Sequence, residues 1–145
     1  MTKSQFRKVV TLFLCGGLIY LCIEVIWRAI IHSTPTHYAM FIVGGIAFVV
    51  IGAINEYISW DMPLFLQCII GTLFVYIIEF ISGCVFNLWL NLNIWDYSNN
   101  AFNLLGQICP QFIPAWFMLS FAAILLDDYL RFILFGEDKP KYKLF

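Results

Sequence analysis

The sequence predicts an all-α integral membrane protein: a bundle of four transmembrane helices with both termini cytoplasmic and an ordered extracellular loop between the third and fourth. Three observations carry that prediction. Of 145 residues, 62% are hydrophobic and only 12% charged, with a mean hydropathy of +0.87, which leaves too little polar surface to cover a soluble globule. Four apolar runs each approach the roughly 20 residues that an α-helix needs to cross about 30 Å of hydrocarbon. Lysine and arginine fall almost wholly on one side of those runs.

The whole chain, 1–145, reads as a single membrane domain. Its first helix is expected over about 9–31; Lys3, Arg7 and Lys8 precede it as in a secretory signal, but the run is too long for one, carries Glu24 and Arg28, and has no small-residue cleavage site. His32-Ser33-Thr34-Pro35-Thr36-His37 is a short turn into a second helix over about 38–57. Ser59-Trp60-Asp61-Met62 leads to Pro63, suited to the first turn of a third helix over about 63–86. The last helix is expected over about 110–135, crossing the membrane to about Tyr129 and running beyond it, with Asp127 and Arg131 spaced i,i+4 and Gly136 as its terminator. The tail 137–143 is charged and expected to be mobile.

With four spans, both ends lie on the side holding Lys3, Arg7, Lys8, Arg131, Lys139, Lys141 and Lys143, against Arg28 alone on the other. That asymmetry puts both termini in the cytoplasm and the loop 87–109 outside. A net charge of -1, without basic residues interleaved with aromatics, excludes nucleic acid as a partner. Five cysteines stand singly with no Cys-x-x-Cys pair, so neither a metal nor a disulfide framework is expected and they read as small apolar residues. Cys109, at the mouth of the last helix, is the exception to watch. No residue pattern calls for a cofactor. His32, Ser33 and His37 invite a nucleophile reading, but without a placed acid they are better read as a polar turn, and no catalytic set is assigned.

Charge inside the spans is the main chemical signal. Glu24 and Glu79 each lie about seven residues from the outer end of their helix, hence at one depth roughly 10 Å down at 1.5 Å per residue. Arg28 follows Glu24 at i,i+4 in the favourable acid-then-base order. Such charges face the bundle interior or a wet cavity. The trio is therefore either a packed ion-pair cluster with a protonated Glu79, or a binding or proton site in which Glu79, lacking a basic neighbour on its own helix, is the carboxylate free to change state. Glu56, near the cytoplasmic end, reads as interfacial.

The outer loop is expected to form a cap. Its asparagines supply amide groups and Trp89, Trp95, Tyr97 and Phe102 supply amphipathic rings. Asp96, followed by Ser98-Asn99-Asn100, is placed to accept backbone N–H groups in a turn. Leu104 to Pro114 is apolar enough to dip into the membrane but holds Gln107, Pro110, Gln111 and Pro114, and irregular backbone there needs protein or water against it.

Trp95-Asp96-Tyr97-Ser98, followed by Asn103-x-x-Gly106-x-Ile108-Cys109 and Trp116, resembles the closing signature of bacterial ABC-transporter permeases of the CmpB-like type. Glu79-Phe80-Ile81-Ser82-Gly83 is similar to the acidic motif before it, and Gly17-Leu18-Ile19-Tyr20, Met40 to Gly45, Asn55-Glu56 and Trp60-Asp61-Met62-Pro63 also resemble short single-unit members. Pro110 departs from the leucine common after the signature cysteine. The resemblance implies a multi-pass protein of the bacterial cell membrane acting as a transporter permease or substrate-capture subunit. The cap residues it marks are Trp95, Asp96, Tyr97, Ser98, Asn103 and Gly106, with Gln107 beside them.

Without a Gly-x-x-x-x-Gly-Lys loop, any ATP hydrolysis would come from a separate ATPase, and four short helices would need a homo-oligomer or other membrane subunits to form a path through the bilayer. The alternative is a non-transporting interaction or regulatory protein that uses the outer cap.

Overall fold

A computed structural model describes residues 2–31 and 34–144. His32 and Ser33, half of the turn discussed above, lie outside the described residues. The helices are α1 (Lys3–Ile31), α2 (Ala39–Gly52), the single turn α3 (Ile54–Tyr57), α4 (Leu64–Gly83) and α5 (Ile113–Phe135). A π-helical turn, Cys84–Trp89, extends α4, and a 3₁₀ turn, Pro110–Phe112, leads into α5. Among the described residues there is no strand, only an isolated antiparallel bridge between Leu104 and Ile108.

Among the described residues, three helical stretches, Lys3–Ile31, Ala39–Tyr57 and Leu64–Trp89, are long and apolar enough to cross a membrane. The second is not one continuous helix. Ala53 still donates to the Val49 carbonyl, but its own carbonyl accepts the Glu56 N–H in a tighter 3₁₀-type bond, just after Gly52, where an added side chain would collide with the Asp127 carboxylate. α5 completes the four-helix bundle by packing on α4 and α2.

Glycine and aromatic residues alternate across the α1–α2 hairpin. Gly16 receives Phe48 and Gly17 receives Phe41, while Gly44 and Gly45 receive Tyr20 and Phe13 from the other side. The missing side chains let the two backbones approach, which is how apolar helices gain contact where lipid removes the hydrophobic drive. α2, α4 and α5 share a core of Ile51, Cys68, Val75 and Ile124. α1 touches α5 only sparingly, so the seam between them is loosely packed.

The tail differs from the mobile segment expected. Gly136, at φ 66°, ends α5 and turns the chain back. The Lys143 carbonyl accepts the Leu64 N–H at 2.7 Å, satisfying a donor that the start of α4 would otherwise leave free. Tyr142 stacks near Trp60, with ring centroids 5.7 Å apart, and donates its hydroxyl to Asp128 Oδ2 at 2.8 Å. Lys143 Nζ reaches Asp61 at 2.5 Å. Charge count suggested freedom, but one aromatic and one carbonyl have complementary places to dock.

Candidate functional site

The loop from Leu90 to Cys109 folds over one end of the bundle. Its tip is a turn built by the predicted cap residues: Asp96 Oδ1 accepts the Ser98 N–H at 2.8 Å, Asn103 Nδ2 donates to the carbonyls of Ser98 and Asn100 at 3.1 and 2.8 Å, and Asn103 Oδ1 accepts the Gly106 N–H at 2.9 Å. Gly106 has φ 70°, and a Cβ there would lie 2.6 Å from Ser98 Oγ. Only glycine fits both constraints. The Ser98 hydroxyl and N–H also hold the Asp96 carboxyl below its usual range.

Gln107 and Asn87 fasten this turn to the bundle. The π turn puts the Asn87 side chain inward, where its Nδ2 donates to Gln107 Oε1 at 2.8 Å and its Oδ1 accepts the Ile94 N–H at 2.7 Å. Gly83 leaves room for Gln107, whose Oε1 would lie 2.5 Å from a Cβ at that position. Trp95 Nε1 donates to the Gln107 carbonyl at 3.0 Å. Cys109, 1% exposed, carries no reactive geometry: its sulfur accepts from Asn100 Nδ2 and its carbonyl from the Tyr76 hydroxyl.

Beneath the cap is a cavity of about 270 Å³ that Glu24, Arg28, Glu79, Trp95 and Tyr97 all line. Glu24 is committed: Arg28 Nε donates to its Oε1 at 2.6 Å, and a second Arg28 nitrogen donates to the Ile94 carbonyl at 2.7 Å, tying α1 to the cap. Glu79 is not. Its Oε1 accepts the Tyr97 hydroxyl at 3.1 Å, but the buried Oε2 has no partner. The Trp116 indole nitrogen lies near this carboxylate, and it too is buried and without a hydrogen-bond partner. Burial, and then the neighbouring Glu79, push the Tyr97 hydroxyl well above its ordinary pKa, so it stays a protonated donor.

Residues 11–134 match the family described as "Putative ABC-transporter type IV". The chain belongs to this family. No solved structure matches it. With its membrane-length helices, this CmpB-like chain is a transporter-related membrane protein.

Of the predicted residues in this CmpB-like chain, Glu24, Arg28, Glu79, Trp95 and Tyr97 meet at the cavity, whereas Asp96, Ser98, Asn103, Gly106 and Gln107 shape and hold the cap. Sequence reasoning missed Tyr20 and Trp116 as cavity walls, because an aromatic on an apolar helix looks the same whether it packs or lines a void. It also missed a second buried polar cluster at the far end of the bundle. There Asn55 Nδ2 donates to Asp128 Oδ2 at 2.6 Å and Arg131 Nε to Asp127 Oδ2 at 2.5 Å. The Asp127–Arg131 pair itself follows from the i,i+4 spacing that marks the helix as continuing; its burial, and the joining of Asp128 to Asn55, do not.

Proposed function

We propose that this chain is a four-span permease or substrate-capture subunit with both termini cytoplasmic, whose capped cavity faces outward and receives a cationic group at Glu79. The observation that carries the reading is the buried, unpartnered Glu79 Oε2. Arg28 balances Glu24, so an ionised Glu79 leaves the cavity one negative charge in excess, and a buried charge needs a counter-charge or a proton. Tyr20, Trp95, Tyr97 and Trp116 around it favour an organic cation, which aromatic faces attract at roughly 0.5–2 kcal/mol each. Energy for movement would come from a separate ATPase subunit, and a path through the bilayer from association with further copies or other membrane subunits.

The test is a titration of the purified protein in nanodiscs with n-butylammonium, read by tryptophan fluorescence, since Trp95 and Trp116 wall the site. Wild type is expected to saturate, and Glu79→Gln to lose the saturable change while keeping its helical circular dichroism. Equal binding by Glu79→Gln removes this reading and leaves the interaction role of the cap, whose tip carries the 90% exposed Phe102.

A further inference from the structure

The cavity is longer than a head-group site requires. On α1 its wall runs from Arg28 back to Gly16, a length of about 18 Å at 1.5 Å per residue. Its charged groups, Glu24, Arg28 and Glu79, are confined to the capped end. Toward the other end the lining is Phe48, Ile51, Leu119 and Leu126, without a polar side chain among them. One end therefore offers a carboxylate and aromatic faces, and the other only apolar surface.

The wall is also incomplete on one side. Ile19 and Ile23 of α1 and Ala115 and Ala122 of α5 line the cavity, and all four are exposed rather than packed against a neighbour. They flank the loosely packed α1–α5 seam. A hydrocarbon chain can lie along such a seam with one side against protein and the other against lipid, whereas a fully polar ligand would have to cover apolar surface that it cannot satisfy. At about 270 Å³ the cavity falls below the roughly 300–1,000 Å³ usual for drug-sized ligands. It suits one slender chain, not two.

We infer that the ligand is a single-chain amphiphile with a protonated amine head, the head held at Glu79 and the tail laid along the α1–α5 seam toward Leu126. This rests on the reading of Glu79 as the cation-receiving carboxylate and adds the tail to it. Ala122 is the discriminating position. It lines the tail end, away from the charged groups, and is exposed rather than packed, so a larger residue there can occupy the cavity without displacing a buried neighbour.

The experiment labels the protein in nanodiscs with dodecylamine carrying a diazirine at the chain end, maps the adducts by mass spectrometry, and competes the labelling with dodecylamine or n-butylamine. Comparing variants in the same bilayer cancels the partitioning of the amine into lipid. Adducts are expected near Phe48, Leu119 and Leu126. Ala122→Trp should weaken competition by dodecylamine at least about tenfold while leaving n-butylamine within about twofold, and Glu79→Gln should weaken both. Leu119→Trp serves as a second filling variant if Ala122→Trp fails to fold. If n-butylamine competes through Glu79 and the filling variants leave dodecylamine unaffected, the tail is refuted and the head site stands. If neither amine depends on Glu79, the head site falls as well.

Discussion

Asn87 is the residue on which the position of the cap depends, and replacing it gives a quantitative test. Asn87→Ala removes the acceptor of the Ile94 N–H and the donor to Gln107 Oε1. Asn87 and Gln107 are buried, and so is Ile94. Each orphaned group costs about 1–3 kcal/mol, hence about 2–6 kcal/mol for the pair. The loss should be local, because α1, α2 and α5 keep their own contacts. Cap amides then open more often by at least about 30-fold, taking the lower bound and a factor of ten per 1.4 kcal/mol. Hydrogen exchange at the Tyr97 and Leu104 amides, which bond the Gly106 and Ile108 carbonyls, reads this directly. Protection of these two amides within about threefold of wild type would refute Asn87 as the anchor. An equal loss throughout α1 and α2 would refute the cap as a separately opening unit.

Three further outcomes are expected. Gly52→Ala puts a methyl group into the Asp127 carboxylate and should destabilise by about 1–3 kcal/mol as an overpacking change, seen as a lower thermal midpoint in detergent. The proposed orientation, with both termini cytoplasmic, is tested by a membrane-impermeant maleimide added from outside, which should label Phe102→Cys and spare Leu144→Cys; the reverse would invert the topology. The Lys143 ammonium beside Asp61 holds that carboxyl below its ordinary range. A depressed folded-state value means that this contribution is complete above the unfolded value of about 3.9 and is lost as pH falls through the lower folded one. A spin label on Leu144→Cys should therefore stay ordered from neutral pH to about 4 and gain mobility only below it.

Much of the architecture was legible because lipid imposes strong rules on sequence. Long apolar runs mark helices, and Gly136 and Pro63 mark where they stop and start. Partners across the bundle were less legible. Glu24 and Arg28 could be paired from spacing, since both lie on one helix, but no spacing rule links Glu79 to Tyr97 or Asn87 to Ile94. Those bonds depend on the π turn after Gly83, where the hydrogen-bonding pattern shifts by one residue and rotates Asn87 inward. The docked tail was missed for a related reason. Composition describes how a segment treats water, and the place that Tyr142 finds beside Asp128 exists only once α5 has folded.

The cap and the acidic site are mechanically one object, and this gives the free carboxylate a means of control. The loop that presents Tyr97 to Glu79 also carries the Ile94 carbonyl that holds Arg28, and both are positioned through Asn87 and Gln107. Lifting the cap takes the phenol from Glu79 and the carbonyl from Arg28 in one movement, admitting water to groups that are sheltered when it is shut. A cationic ligand that satisfies Glu79 Oε2 with the cap closed is favoured by low local polarity, because attraction between opposite charges strengthens as water leaves. On that reading the same ligand would be held less tightly once the cap opens. Under the proposed reading, closure would favour capture and opening would favour exchange. Asn87→Ala separates this from a passive lid: if it speeds both association and dissociation of n-butylammonium while Glu79 still governs binding, the cap is the gate, and unchanged rates would make it only a covering.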